Sequence, residues 1–181
     1  MKRFLKIAGV VMLCAAVAAA ALLVHAGLFY RVEASEKMTG PYTLVYLEHR
    51  GDYAKAGQIQ MEVYNRLLAE HAIKTTKGFG IYYDNPANVK KEDLRSEVGC
   101  ILEPADESKA ALLEGKFRVK KLEQKISVIA EHPFTNPASI MLGIMKAYPA
   151  MSKYAKEKGM EFTYSMEIYD VPEKKTLYLL R

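Results

Sequence analysis

Between Pro41 and Leu180 the order strand, helix, strand, strand is legible twice, and that repetition restricts the possible folds more than any other feature of the chain. In the first pass Thr43 to Leu47 is a β-rich run, and Asp52 is placed to cap a helix striped by Ile59, Val63 and Leu67. Phe79 to Tyr83 and Val98 to Leu102 follow as short strands, the first ending in the turn Asp84-Asn85-Pro86. In the second pass Lys125 to Ala130 is a strand, and Asn136-Pro137 is an N-cap with proline at the first helical position. Ile140, Ile144, Tyr148, Met151 and Ala155 form the second helix stripe, Gly159 ends it, and Pro149 is expected to kink it near Met145. Phe162 to Tyr169 and Thr176 to Leu180 close the unit around Asp170-Val171-Pro172.

Local echoes support a duplication. Glu48-His49 recurs as Glu131-His132, and Ile81-Tyr82-Tyr83-Asp84-Asn85-Pro86 aligns with Glu167-Ile168-Tyr169-Asp170-Val171-Pro172. Units of this length make a duplicated module rather than a solenoid. The expected fold is α+β: two β-α-β-β units with pseudo-twofold symmetry, an antiparallel sheet, two main helices and a central cleft. The halves fall at about 41–103 and 117–181, with Phe117 to Leu122 bridging them.

Ile7 to Phe29 carries no charged residue over 23 positions and follows Lys2, Arg3 and Lys6. As a helix it is about 34 Å long, enough for a hydrocarbon core of about 30 Å. Residues 1–30 are therefore expected to form an N-terminal transmembrane helix, with 31–40 as a linker and 41–181 as the folded domain. Val24-His25-Ala26 also offers small residues where a signal peptidase reads, so a cleaved signal peptide is the alternative. The leading positive charges place the domain across the membrane from the N-terminus. The expectation is a bacterial single-pass protein of the inner (cytoplasmic) membrane with a periplasmic or extracytoplasmic C-terminal domain. Of the formal net charge of +5, three charges are those leading residues, so the remainder is nearly neutral and no nucleic-acid partner is expected. With 50% hydrophobic residues, 12 of the side chains tyrosine, the chain is too rich in core formers to be disordered.

The repeated layout, with Glu48-His49-Arg50-Gly51-Asp52-Tyr53 after the first strand and Met166-Glu167-Ile168-Tyr169-Asp170-Val171-Pro172 near the end, resembles the GyrI-like (SOUL/effector-binding) family. That family includes ligand-binding domains of multidrug-sensing regulators, and the likeness covers about residues 41 to 181. A membrane helix ahead of such a domain also resembles the layout of a eukaryotic ER-phagy receptor. The resemblance implies that Glu167 lies in the cleft and meets cationic, often aromatic, ligands.

The residues themselves agree, since Glu167, Tyr169 and Ser165 share one face of a strand while Met166 and Ile168 share the other. A carboxylate beside tyrosines pairs with an organic cation through charge and ring quadrupole together. Tyr83 is expected in the place of Tyr169 in the other half, and Tyr46 and Tyr148 are further candidate lining residues. The leading expectation is a membrane-tethered, non-enzymatic domain that binds a small hydrophobic or cationic molecule, with residues 7–29 contacting the membrane. The alternatives are a hydrolase of strained electrophiles using Glu167 and Tyr169, or a protein-interaction module without a ligand. No cofactor and no metal are expected, because the histidines lack ligand spacing and no glycine-rich phosphate loop follows a strand. The Glu-His pairs are not acid–base dyads, since neighbours in a strand point to opposite faces.

Overall fold

The computed structural model of the chain describes residues 2–181. Helix α1 (Lys2–His25) precedes β1 (Ser35–Thr39), β2 (Tyr42–Arg50), α2 (Ala56–His71), β3 (Lys77–Tyr82), β4 (Arg95–Ile101) and the short α3 (Ala110–Leu113). Then come β5 (Arg118–Leu122), β6 (Lys125–Pro133), α4 (Pro137–Lys158), β7 (Ser165–Asp170) and β8 (Lys175–Leu180). All eight strands join one sheet in the order β1-β6-β8-β7-β3-β4-β2-β5, and every described pairing within it is antiparallel.

That order reads the same from both ends once β1 is matched with β5, β2 with β6, β3 with β7 and β4 with β8. The duplication expected from sequence is thus a twofold of the sheet, with β3 and β7 meeting at its centre. Two segments need correction. The stretch 31–40, expected as a linker, contributes β1, whose Ser35 to Thr39 pair with Ile129 to Lys125 at the edge of the second half. Phe117 to Leu122, expected as a bridge, contributes β5, which pairs with β2 at the edge of the first. Each half therefore lends its leading strand to the other, which satisfies an otherwise open edge. A five-residue polar strand such as Ser-Glu-Lys-Met-Thr has no alternating pattern to betray it.

The local signals explain the helices. Asn136 accepts from the Ser139 amide while Ser139 closes a capping box, Pro137 stands in the first turn, and Gly159 caps the end at φ 63°. Asp52 caps a 3₁₀ turn, Tyr53–Lys55, that leads into α2 rather than capping α2 itself. The helix α4 continues through Pro149 to Lys158. Its fully buried positions are Ser139, Gly143, Ala147, Met151 and Ala155, one residue off the expected stripe over its first three turns. Tyr178 supplies the reason: its hydroxyl lies where a side chain on Gly143 would sit, so small residues face the sheet there.

Helix α2 packs on β4 and β2 through Val63, Leu67, Val45 and Cys100, and α4 packs on β6 and β8 through Ala147, Met151, Val128, Ala130 and Tyr178. The opposite face buries a strand-only cluster that runs through both halves, with Leu44, Phe79, Ile81, Met166, Ile168 and Leu179. The sheet curls into a half-barrel around it. Both helices lie on the outer face, and the central strand β7 and much of β3 occupy the seam between them.

Helix α1 stands apart from the sheet: its span Lys6–His25 has a mean hydropathy of 2.7 and none of it is buried. Its C-terminal end is nevertheless tied down. Lys146 of α4 donates to the carbonyl oxygens of Gly27 (3.0 Å), Leu28 and Tyr30 (3.0 Å), and the buried His132 ring faces the Gly27 oxygen at 3.3 Å. One ammonium thus gathers three carbonyls of the segment that follows α1, where the last-turn oxygens of Leu22, Leu23 and Val24 are already taken by the amides of Ala26, Leu28 and Gly27. Replacing Lys146 by Met removes these bonds and keeps the stem. Amide exchange of residues 26–30 is expected to accelerate about tenfold or more, the range for hydrogen bonds to a charged group; unchanged exchange measured by mass spectrometry contradicts this role.

Candidate functional site

Alternation in β7 places Ser165, Glu167 and Tyr169 in the seam and Met166 and Ile168 in the inner cluster, as expected. Glu167 is only 3% exposed. Tyr148, from α4, donates its hydroxyl to Glu167 Oε1 at 2.9 Å, and Tyr169 donates to Oε2 at 2.6 Å. Tyr148 also reaches Ser165 Oγ at 3.3 Å, and Ser165 in turn donates to the Tyr82 carbonyl at 3.4 Å. Both carboxylate oxygens are therefore held by phenols, and among the described residues no basic side chain pairs with them.

Burial pushes the Glu167 carboxyl above the ordinary glutamate value, against the two tyrosine donors, which favour the ionised form. The same burial, followed by the negative charge of Glu167, raises the hydroxyls of Tyr82, Tyr148, Tyr169 and Tyr178. Four tyrosines thus share the field of one acid.

Three of the five residues expected from sequence come together: Glu167, Tyr169 and Tyr148. Tyr83 and Tyr46 do not join them. In the β3–β7 ladder Gly80 lies opposite Glu167 and Tyr82 opposite Ser165, whereas Ile81 lies opposite Met166. Cross-strand partners share a face, so Tyr82 belongs to the seam and Tyr83 to the other side. Aligning Ile81 with Glu167 is one residue out, and in a strand that slip exchanges the faces. Tyr83 packs on Tyr164 with ring centroids 5.9 Å apart, and Tyr46 packs on Phe79 at 6.3 Å in the inner cluster.

Tyr82 and Tyr178 also face the seam, though neither is among the five residues expected there. Tyr82 stacks edge-on against Tyr53 at 4.8 Å, and its hydroxyl occupies the space a side chain at Gly80 would need. Tyr178 is the partner of Glu167 in β8 and packs on Tyr148 with centroids 5.8 Å apart. The available signal was the pair Gly80 and Tyr82, a missing side chain two residues from a large one on the same face.

The twofold seam, where a cleft was expected, is closed over Glu167 by tyrosine rings. Tyr53, Tyr82, Tyr148 and Tyr169 are each partly exposed, so Glu167 is covered by side chains that reach solvent. The Glu-His pairs form no dyads: Glu131 pairs with Lys37 and Lys175, while His132 turns to the other face and the end of α1. Cys100 is buried between α2 and the sheet, and burial raises its thiol to about 11, so it is a packing residue.

A family model described as a GyrI-like small molecule binding domain matches residues 33–179. The chain belongs to this family. The match begins ahead of β1, consistent with that strand being part of the domain. The mouse testis-expressed protein 264 homolog is 32% identical over 133 residues, covering 70% of this chain and 41% of the relative. The chain thus spans about two fifths of the length of that curated relative. It is a mammalian protein, and the expected bacterial inner-membrane setting finds no support in it. Among solved structures, the EcmrR C-terminal domain aligns with a TM-score of 0.60 at 14% identity, covering 82% of this chain and 96% of that one. An EcmrR–DNA complex aligns with a TM-score of 0.59 at 12% identity over 97% of this chain and 66% of its own, a likeness of fold alone.

Proposed function

We propose that the domain is a membrane-tethered receptor for a small amphipathic or cationic molecule, with Glu167 as the recognition charge and Tyr148 as the side chain that must withdraw. The observation that carries this reading is a carboxyl buried at the seam of a small-molecule-binding fold, both of its oxygens held by phenols and, among the described residues, by no cation. A buried carboxylate without a cation is costly, so a ligand that brings positive charge or good donors recovers part of that cost on binding. The surrounding rings offer apolar contact and cation–π attraction. Tyr148 is a suitable lid because it comes from α4, whereas Tyr169 is fixed in the same strand as Glu167. Tethering by α1 is supported by its length, its hydropathy and the fixed join at Lys146 and His132. The side of the membrane follows from the positive-inside argument alone.

Calorimetric titration of the full chain in micelles with an N-alkylpyridinium cation tests the site. Glu167→Gln is expected to weaken binding by about 1–3 kcal/mol, roughly fivefold to 150-fold. Equal affinity in this variant rejects Glu167 as the recognition group. Tyr148→Phe is expected to bind at least as tightly as the native chain, because the lid loses its hold on the carboxyl.

A further inference from the structure

With Glu167 covered by Tyr148 and Tyr169, the route to it becomes a structural question. A depression of about 340 Å³ lies beyond Tyr169, lined by His25, Phe134, Thr135, Val171 and Lys174. His25 is the last residue of α1, and the Thr135 hydroxyl donates to its carbonyl at 3.3 Å. The depression is therefore at the point where the apolar helix meets the domain. Phe134 stands between it and the site, with its ring centroid 5.7 Å from that of Tyr169, whose hydroxyl holds Glu167. One aromatic pair thus separates the depression from the carboxyl.

Two apolar side chains, Phe134 and Val171, line the depression beside His25, Thr135 and Lys174. Val171 is 59% exposed at the tip of the β7–β8 turn, and Phe29, just past α1, is 78% exposed. Lys174, in the same turn as Val171, has the length to lay its stem along an apolar surface and keep its ammonium among lipid headgroups. A volume of this size suits a small ligand or the end of a single alkyl chain.

We propose that this depression is a port through which a bilayer-resident, single-chain amphiphile reaches Glu167, its tail in the lipid and its polar head among the tyrosines. The inference rests on reading α1 as a membrane anchor and Glu167 as the recognition group, and it adds the source and class of the ligand. Phe134 swings aside so that the head comes to lie against the fixed Tyr169, and withdrawal of Tyr148 then frees the carboxyl to meet it, while Val171 and the α1 end keep the tail out of water. A ligand drawn from lipid responds to its mole fraction in the bilayer, whereas one drawn from water responds to its aqueous concentration.

The test uses the full chain in phosphatidylcholine vesicles with N-hexadecylpyridinium as the probe. Binding is read as the quenching of tyrosine fluorescence that Glu167→Gln abolishes, in a chain with 12 tyrosines and no tryptophan. Quenching is expected to persist when the loaded vesicles are diluted in buffer, and Val171→Lys is expected to slow uptake about tenfold by putting a charge that repels the pyridinium head at the mouth. Val171→Ser should slow it in the same direction by less. Quenching that falls with dilution, or uptake unchanged in both Val171 variants, overturns the port and leaves Glu167 its role. Quenching that is the same in Glu167→Gln as in the native chain removes the recognition group and the port together.

Discussion

Gly99→Ala is expected to destabilise the domain by about 3 kcal/mol or more, among the larger costs of a single methyl group. Gly99 pairs with Tyr46 across β4 and β2. A β-carbon at this position would lie 2.0 Å from the Val45 carbonyl oxygen and 2.7 Å from the Tyr46 α-carbon. Both obstacles are backbone atoms of the adjacent strand, so no rotamer change relieves the clash. The strands must separate, which breaks ladder hydrogen bonds beside the inner cluster residues Leu44 and Ile101. For a domain of this size each kcal/mol lowers the thermal midpoint by about 2–4 °C, so a fall of roughly 6–12 °C is expected in a thermal melt. A shift below about 2 °C shows that the sheet accommodates the methyl group. Gly80→Ala provides the contrast: its β-carbon meets the Tyr82 hydroxyl, the end of a side chain that can rotate. The stability cost there is expected to be smaller and the effect on ligand binding larger, because Tyr82 is pushed out of the seam.

Glu167→Gln is expected to make the fold more stable at neutral pH while weakening the ligand site. Burial raises the folded-state pKa of Glu167 above the ordinary value, so between those two values the folded chain holds a proton that the unfolded chain has lost. Native stability therefore falls as pH rises from the ordinary glutamate value through the folded one. Glutamine is neutral throughout and still accepts from a tyrosine hydroxyl. The advantage of the variant should be flat below the ordinary glutamate pKa, grow through that window, and level off above it at about 1–3 kcal/mol. Denaturant unfolding in micelles at pH 4 and pH 7.5 measures this. An advantage that is independent of pH, or that shrinks as pH rises, means that the tyrosine hydrogen bonds outweigh burial and the carboxylate is the favoured form. The predicted exchange of stability for binding is the usual cost of keeping a poorly solvated charge in a functional site.

The two effects have a common origin in the central strands. Gly80 and Glu167 face each other across the twofold seam, one half contributing an empty position and the other the acid. Duplication made the two halves alike in strand order, and divergence at this one pair left a single carboxyl for four tyrosines.

How much of this was legible in the sequence depended on whether the signal was local. The N-cap at Asn136, the stop at Gly159 and the alternation around Glu167 are short-range patterns, fixed by capping geometry and the pleat, and they hold in the structure. The apolar run before His25 is equally local. The contribution of Ser35 to Thr39 to the sheet depends on the edge of β6, which lies some ninety residues away in the chain, and its polar side chains carry no trace of that partner. The choice between Tyr82 and Tyr83 was a matter of register, and a repeat alignment that slides by one residue changes the face without changing the match.

Sequence alone determined the duplicated strand-helix-strand-strand order, the apolar N-terminal helix and the alternation that puts Glu167 and Tyr169 on the face opposite Met166 and Ile168, because each is written in contiguous residues. Tertiary structure decided the exchange of leading strands between the halves, the tyrosines that reach the acid, and the meeting of the α1 end with Phe134 and Val171 near the site. Those outcomes depend on how strands pair and helices lie across the sheet, and the free energies that select them come from surfaces brought together only when the chain is folded.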